Sequence, residues 1–546
     1  MSKDSHAKPV DQKLFSLFCR SCQREYHTKI HQRSENTSVG GVTMPSFVLQ
    51  LEISFSKKLL LDRKGVPGME PGSPKALDRR LNAAISIRNA VKHEALKRLH
   101  KLQHDREYQA VQTEFAARKK VNPDADTSDL APIYAACYNR YGYSEYDLHK
   151  YVLPAKYQYS NILGADECQK LATQAFNAVD KIRTHESKKI TYKPRTADTS
   201  VEGKSSKSTL KYIGDWCIQF GRGNVYPLIV KKNDAYALKA LKHKVKYVRL
   251  LRKTIRGEHR YYAQLVLDGI PPRTKNLKYG RSDSRVGLDE GTTTLAIASN
   301  KEVSLVELAP GTTANEKKLR RINRAIDRSK RATNPDNYNE NGTIKKGRLS
   351  WNKSKRYLRL EAKRKELYRK NAWNRECSHN ALANHVVSLG TDIRVEQMRI
   401  AALAKRSSKT TTNKQNGRIR SKKRYGKTVL NRAPAYIISA IDRKLQYVGR
   451  SIKKVDTFQV RASQYDHRSD TYKKKELSAR WHVFSDETKV QRDIYSAFLI
   501  CNTNDALNQV DRKACIRGYK NFKILHDKEI VRLNTENNNT LRWYIA

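Results

Sequence analysis

The apolar stretch at residues 285–299 (RVGLDEGTTTLAIAS) constrains the fold of this chain most strongly. Val286 and Leu288 predict a buried strand, and the apolar run resumes at 295–298. Asp289 lies inside this strand. A carboxylate in a buried strand costs several kcal/mol unless it pairs with a cation or binds a metal ion. Asp289 is therefore either a structural acid in a salt bridge or a metal ligand.

Two further acids occupy similar settings. Ile393 and Val395 alternate as in a short strand that ends at Glu396. Asp493 precedes apolar residues at helical spacing, so we expect it in the first turn of a helix. Carboxylates are ligands of paired Mg²⁺ ions, which lie roughly 3.5–4 Å apart in nucleases. Two acids on strands and one at a helix start therefore predict a two-metal phosphodiesterase site.

Three motifs carry these acids: Gly287-Leu-Asp289-x-Gly291, Val395-Glu396-x-Met398 and Arg492-Asp493-x-x-Ser496-Ala497. Together they resemble the RuvC nuclease domain of TnpB proteins and compact type V CRISPR effectors. The resemblance covers residues 285–502 through its motifs and the N-terminal half in general layout only. It implies an RNase-H-like fold that cuts DNA chosen by a guide RNA, with the three acids as metal ligands. DDE transposases carry their acids in the order Asp, Asp, Glu, so a strand-transfer transposase is disfavoured.

The net charge points to a polyanionic partner. Lys and Arg number 109 against 54 Asp and Glu, for a formal charge of +55. Such an excess repels itself unless nucleic acid neutralises it. A generally basic surface or a ribosome-like tail is the alternative, but the basic residues are spread through regions with good apolar periodicity. A guide RNA together with a double-stranded DNA target and its displaced strand would account for this charge.

The sequence predicts a protein of the bacterial cytoplasm, associated with the nucleoid when it binds DNA. No run approaches the ~20 apolar residues that span a bilayer, and the first residues lack a signal-peptide core. Eight cysteines scattered over 546 residues do not form a disulfide framework. We therefore expect a reducing compartment and no membrane partner.

Residues 1–40 contain a candidate zinc knuckle. Two thiolates on a tight turn and two imidazoles one helical turn apart can complete a tetrahedral Zn²⁺ site. A redox-inert cysteine pair near a mobile terminus is the alternative, and nothing else in the sequence decides between them. The candidate ligands are Cys19, Cys22, His27 and His31.

The N-terminal half predicts a β domain interrupted by helices. Alternating apolar residues from Phe47 predict a half-buried strand, and Ser73-Pro74 supplies the N-cap and first-turn proline of a long helix. We assign the β domain to 41–72 and 190–280 and the helical insert to 73–189. Aromatic residues among Lys and Arg in the β domain suit base stacking and core packing equally. In the resembling family these parts are the wedge domain, which grips guide RNA, and the recognition domain.

Two features follow the first motif. A pair of charge-rich helices, at 315–331 and 349–387, is either a solvated hairpin or a surface for a phosphate backbone. The basic stretch at 401–429 cannot form a core, so it predicts a mobile loop that could close over the substrate strand. Its candidate nucleic-acid-binding residues are Lys405, Arg406, Lys422, Lys423 and Arg424.

The segment 461–490 departs from the resembling family. Many relatives carry two Cys-x-x-Cys pairs that bind zinc there, whereas this chain has no cysteine in the segment. We expect a zinc-free target-strand loading element held together by aromatic packing. It separates the first two motifs, in 281–460, from the third motif and the C-terminal tail, in 491–546.

The sequence thus predicts a two-lobed, multidomain α+β protein with a β-barrel-like wedge domain, a helical recognition domain and an RNase-H-like (RuvC) α/β nuclease domain. The predicted activity is RNA-guided DNA cleavage, with Asp289, Glu396 and Asp493 binding two Mg²⁺ ions and Arg492 stabilising the developing charge. The guide would come from a CRISPR array or a transposon end. The alternatives are an RNA-guided repressor without cleavage and a guide-independent nuclease of the Holliday-junction type.

Overall fold

The computed structural model describes residues 45–63, 70–122, 124–158, 162–221, 223–272, 282–396, 398, 400–405, 410–413, 417, 425–476 and 479–546. The described residues up to 272 form one compact unit, and those from 282 form another. None of the helices in these ranges is long and apolar enough to cross a membrane. Several predicted site residues lie outside the described ranges: Cys19, Cys22, His27, His31, Arg406, Lys422, Lys423 and Arg424.

A seven-stranded antiparallel sheet, curled into a half-barrel, forms the β part of the first unit. The spatial order is β2-β6-β7-β1-β5-β4-β3. The strands are β1 (Ser46–Ile53), β2 (Thr199–Glu202), β3 (Leu210–Gly214), β4 (Cys217–Phe220), β5 (Val225–Ile229), β6 (Val245–Ile255) and β7 (Glu258–Asp268). The strand that precedes the helices thus pairs with strands that follow them.

Strand β1 is buried on both faces rather than half-buried. Phe47 and Leu49 are buried as the alternation predicted, but Val48 and Gln50 on the opposite face are buried as well. Gln50 tolerates this position because its side-chain oxygen accepts a hydrogen bond from Gln264 of β7 at 3.1 Å. The polar residues that suggested a solvated face therefore belong to the middle of the sheet.

Helices fill the interval between β1 and β2. Ser73 caps α2 by accepting a hydrogen bond from the backbone N–H of Ala76 at 3.1 Å, and Pro74 opens the helix, as predicted. The helices of the first unit are α1 (Lys57–Leu61), α2 (Pro74–Gln103), α3 (Arg106–Val121), α4 (Ala131–Tyr141), α5 (Glu145–Tyr151), α6 (Leu153–Gln158), α7 (Ala165–Arg183) and α8 (Ala235–Ala240).

The second unit is built on a five-stranded mixed sheet in the order β10-β9-β8-β11-β12. Strand β9 pairs antiparallel with both β8 and β10, whereas β11 pairs parallel with both β8 and β12. The run at 285–299 forms two strands because the chain turns at Gly291, whose N–H donates to the Thr294 carbonyl at 2.9 Å. The strands are β8 (Arg285–Glu290), β9 (Thr294–Ser299), β10 (Val303–Glu307), β11 (Asp392–Glu396) and β12 (Lys453–Val455).

Helices cover both faces of this sheet. The helices are α9 (Glu316–Thr333), α10 (Lys355–Leu389), α11 (Ile400–Leu403), α12 (Gly426–Arg432), α13 (Pro434–Gln446), α14 (Thr457–Val460), α15 (Arg492–Cys501), α16 (Arg512–Thr535) and α17 (Asn539–Ile545). Val286 and Leu288 share one core with α10 and α13, whereas α15 and α16 belong to the core on the other face. Because successive residues of a strand alternate, Gly287 and Asp289 lie on the α15 face.

Two hairpins follow β12 in the chain and precede α15. Strands β13 (Tyr465–Asp466) and β14 (Thr471–Tyr472) form the first, and β15 (Trp481–Val483) and β16 (Lys489–Gln491) form the second. The chain passes directly from β16 into α15. Tyr465, Phe484 and Tyr495 of this region are buried in one apolar cluster, so aromatic side chains supply its core.

Arg394 ties the end of β11 to the turn after α15. Its side chain is fully buried and donates to the carbonyl of Asn504 at 3.1 Å and to the Thr503 hydroxyl at 3.1 Å. It also contacts the carboxylate of Asp392 at 3.2 Å. Arg394 pairs in register with Gly287 of β8 and stands two residues before Glu396, the last residue of β11.

Arg394→Met is therefore expected to lower the free energy of unfolding by about 2 kcal/mol. The carbonyls that Arg394 satisfies would be left without their donor inside the protein. Asp392 would keep Lys453 at 2.9 Å, which limits the loss. Urea denaturation measures the change, and Arg369→Met, which removes an exposed ion pair, is the control. Equal stability of the two variants would contradict this account.

Candidate active site

Strand pairing places Asp289 and Glu396 side by side. Leu288 of β8 pairs with Val395 of β11 in parallel register, so Asp289 and Glu396 are the next residues along the two strands. Neighbouring strands lie about 4.8 Å apart. Both acids stand at the carboxyl ends of their strands, where side chains of parallel strands meet.

Gly287 allows helix α15 to approach β8 closely. A Cβ atom at this position would lie 2.0 Å from the carbonyl oxygen of Ala497 and 2.4 Å from the backbone nitrogen of Cys501. The helix begins at Arg492, and the side chain of Gln491 caps it by accepting from the N–H of Ile494 at 2.7 Å. The first turn of α15, with Asp493, is thereby held against the sheet.

The three carboxylates interact electrostatically. Burial, followed by repulsion from the carboxylates of Asp493 and Glu396, raises the pKa of Asp289 well above its ordinary value, and the guanidinium of Arg492 offsets only part of this. Burial raises the pKa of Glu396 to about 7. Their ligand atoms do not all come within 4.8 Å of one another. Asp289 and Glu396 therefore resist ionisation more than exposed carboxyl groups do.

Arg492 contacts Asp493 and an adjoining loop. Its Nε and Nη2 each lie 3.2 Å from Oδ1 of Asp493. Its Nη1 donates to the carbonyls of Ala479, at 2.8 Å, and Glu476, at 3.3 Å. Oδ2 of Asp493 takes part in neither of the Arg492 hydrogen bonds. The arginine is thus placed to orient Asp493 as well as to carry positive charge beside the acids.

Glu290 is an acid of this region that sequence reasoning missed. It is 4 % exposed, and within the described structure its Oε1 has no hydrogen-bond partner. Burial raises its pKa to about 7. Strand alternation turns it away from Asp289 towards the opposite face of the sheet. The signal was present in the sequence, since an acid directly after Asp289 had to face the other core.

Glu290→Gln is expected to stabilise the metal-free protein at pH 8 by about 2 kcal/mol, with little effect at pH 4.5. The unfolded chain ionises Glu290 near its ordinary pKa, whereas the folded chain resists ionisation up to about pH 7. Stability of the parent protein therefore falls as the pH rises through this interval, and the glutamine variant lacks that fall. Thermal unfolding across pH 4.5–8 measures it, with exposed Glu340→Gln as the control. Parallel pH profiles would contradict the prediction.

Lys405 is the one predicted nucleic-acid-binding residue within the described ranges. It is exposed just after α11, and its backbone N–H donates to the carbonyl of Ala402 at 3.2 Å. Its role in binding nucleic acid stays a prediction, as do those of the other four basic residues.

A second group of possible metal ligands lies in the first unit. Ligand atoms of Asp105, Glu107 and Cys137 come within 4.8 Å of one another. Arg140, however, already forms 2.7 Å ion pairs with both Asp105 and Glu107. This group therefore already has its own cation.

No protein-family model and no curated protein matches the chain. Among solved structures, it is similar to a Cas12f1–sgRNA–target DNA complex, with 11 % identity and a TM-score of 0.40, covering 85 % of this chain and 99 % of that one. It is also similar to a CRISPR–Cas12f ternary complex, with 12 % identity and a TM-score of 0.21, covering 92 % of this chain and 97 % of that one. A third similar structure is a Cas12i1 R-loop complex before target DNA cleavage, with 8 % identity and a TM-score of 0.24, covering 69 % of this chain and 53 % of that one. These are compact type V effectors, the class that the three motifs resemble. With TM-scores below 0.5 they do not bear on the chemistry of the site.

Proposed function

We propose that this chain is a Mg²⁺-dependent, RNA-guided endonuclease that hydrolyses DNA phosphodiester bonds at Asp289, Glu396 and Asp493. The observation that carries the proposal is the placement of three acids at one edge of the sheet: the parallel register of β8 and β11 sets Asp289 beside Glu396, and α15, which holds Asp493 in its first turn, packs closely on β8. Acids that repel one another in a partly buried setting are stable as carboxylates only when cations join them. A mixed sheet with helices on both faces also suits an RNase-H-like nuclease domain.

The donor set fits Mg²⁺. All three side chains offer carboxylate oxygens, the ligands that this hard cation prefers. Asp289, Glu396 and Asp493 would hold the ions, and Asp289 has both other acids as electrostatic neighbours. Two Mg²⁺ ions, when bound, supply Lewis-acid polarisation of the phosphate and lower the pKa of the attacking water.

The residues around the acids have defined tasks in this proposal. The close packing of α15 on Gly287 fixes the distance between the strand acids and Asp493. Arg492 orients Asp493 through Oδ1, and its guanidinium is the candidate for stabilising charge that develops on the phosphate. The pKa of Glu396, raised to about 7 by burial, predicts that cation binding displaces protons at neutral pH.

Guide RNA and target DNA are the proposed partners. One of the similar structures is a complex of Cas12f1 with sgRNA and target DNA, and the charge of +55 supports the same two partners here. Helix α9 adds support, because Ile326 is its buried residue while one side carries exposed cations: Lys317, Lys318, Arg320, Arg321, Arg324 and Arg328.

The experiment is to express the chain with the DNA that surrounds its gene, sequence the RNA that copurifies, and incubate the particle with matched or unmatched plasmid. Cleavage of the matched plasmid alone, with Mg²⁺ but not with EDTA, is the expected result. A specific RNA with DNA binding but no cleavage would favour the repressor instead. Cleavage without RNA would favour the guide-independent nuclease.

A further inference from the structure

A buried histidine lies in the second hairpin before α15. His482 is 4 % exposed and stacks on Tyr495 of α15, with ring centroids 4.7 Å apart. Its Nε2 lies 3.2 Å from Oδ2 of Asp466 in the first hairpin, and its Nδ1 contacts Nζ of Lys475. The histidine therefore links the first hairpin to the strand-connecting segment that contains Lys475.

The partners of His482 determine its protonation. A lysine ammonium can only donate, so Nδ1 must accept and carry no proton. Nε2 then carries the ring proton and donates it to the carboxylate of Asp466. This neutral form agrees with the pKa of His482, which burial and then the ammonium of Lys475 lower to about 4. The hydrogen bonds thus run in one direction, from Lys475 through His482 to Asp466.

The same segment holds Arg492. Glu476, which follows Lys475, and Ala479 supply the two carbonyls that accept hydrogen bonds from Nη1 of Arg492. The other two nitrogens of Arg492 contact Oδ1 of Asp493. A continuous path of side-chain and backbone contacts therefore leads from Asp466 to the acid at the start of α15.

We propose that Asp466, His482 and Lys475 are positioning residues that fix the loop carbonyls around Arg492 and thereby orient Asp493 for cation binding. The inference rests on the proposed function, because it assigns Asp493 as a ligand. Groups that orient a ligand typically change metal affinity 10- to 100-fold when removed.

The test uses His482→Phe, which keeps the aromatic packing, and Lys475→Met, which keeps the aliphatic stem. Mn²⁺ serves as the probe, and electron paramagnetic resonance of free Mn²⁺ during titration of the full chain gives its affinity. Binding to the Asp289→Ala protein is subtracted. His379→Phe is the control, because His379 is equally buried but hydrogen-bonds the Arg432 carbonyl in the other core. We expect at least about tenfold weaker Mn²⁺ binding in both variants and little change in the control.

Lys475→Arg gives a second comparison, since it keeps a donor at this position and should recover most of the affinity. Parent-like affinity in both His482→Phe and Lys475→Met would overturn the inference. A loss matched by His379→Phe would also overturn it, because any buried histidine would then have the same effect. If the parent protein shows no Mn²⁺ binding that depends on Asp289, the proposed function itself fails, and this inference fails with it.

Discussion

Asp289→Asn is expected to lower the rate of guided DNA cleavage by at least about a thousandfold while RNA and DNA binding persist. The amide keeps the size of the side chain but removes the negative charge of a proposed Mg²⁺ ligand. Asp289 is partly buried and interacts electrostatically with Asp493 and Glu396, and the other acid of β8, Glu290, faces the opposite side of the sheet. Cleavage of matched plasmid under single-turnover conditions measures the loss, and filter binding measures retained affinity.

Asp289→Asn is also expected to raise the stability of the metal-free protein. Burial and neighbouring carboxylates raise the pKa of Asp289, so ionising it costs the folded state free energy once the pH exceeds its ordinary range. Asparagine avoids this cost, and we expect the metal-free variant to be about 1 kcal/mol more stable at pH 8. Saturating Mg²⁺ should reverse the order by stabilising the parent protein alone.

Asp283→Asn is the matched control, because Asp283 is an exposed acid just before the same strand, paired with Arg450 at 3.1 Å. It should leave both cleavage and stability unchanged. Residual cleavage by Asp289→Asn within tenfold of the parent rate would show that the reaction does not depend on this carboxylate. Reduced stability of the metal-free variant would show that Asp289 is instead the partner of a structural salt bridge.

Local patterns were sufficient to place the acids because each acid interrupts an apolar periodicity. Asp289 and Glu396 stand in strands whose alternation is visible in the sequence, and Asp493 begins a helix with clear apolar spacing. Their juxtaposition depends on the parallel pairing of β8 with β11, across about a hundred residues. No local pattern in the sequence specifies that pairing.

The surroundings of the acids could not be predicted in the same way. Contacts such as those of His482 with Asp466 and Lys475 join residues 16 and 7 positions apart that lie on different hairpins and on the segment between them, so no single helix or strand brings them together. Arg394 lies in a short strand and is fully buried, with carbonyls after α15 accepting its hydrogen bonds. Such polar contacts are set by tertiary structure, so composition and periodicity carry no signal for them.

Gly287→Ala is expected to disrupt the site although residue 287 contributes no chemical group. An added Cβ would lie 2.0 Å from the Ala497 carbonyl oxygen and 2.4 Å from the Cys501 nitrogen, both backbone atoms of α15. Backbone atoms cannot rotate away as a side chain can, so the helix must shift. We expect a loss of about 3 kcal/mol in the free energy of unfolding.

The shift of α15 also moves Asp493 relative to the strand acids, and a displacement of ~1 Å in an active site can cost about a hundredfold in rate. Gly311→Ala is the matched control, because the nearest atom to its added Cβ would be the Asn374 side-chain nitrogen at 3.5 Å, an ordinary contact. Unfolding in urea and single-turnover cleavage, measured on both variants, separate two outcomes. A Gly287→Ala protein that is destabilised yet cleaves at the parent rate would mean that the position of α15 does not govern catalysis. Loss of both stability and cleavage in Gly287→Ala, with Gly311→Ala unaffected, would show that catalysis depends on the close packing of α15 that a missing side chain at residue 287 allows.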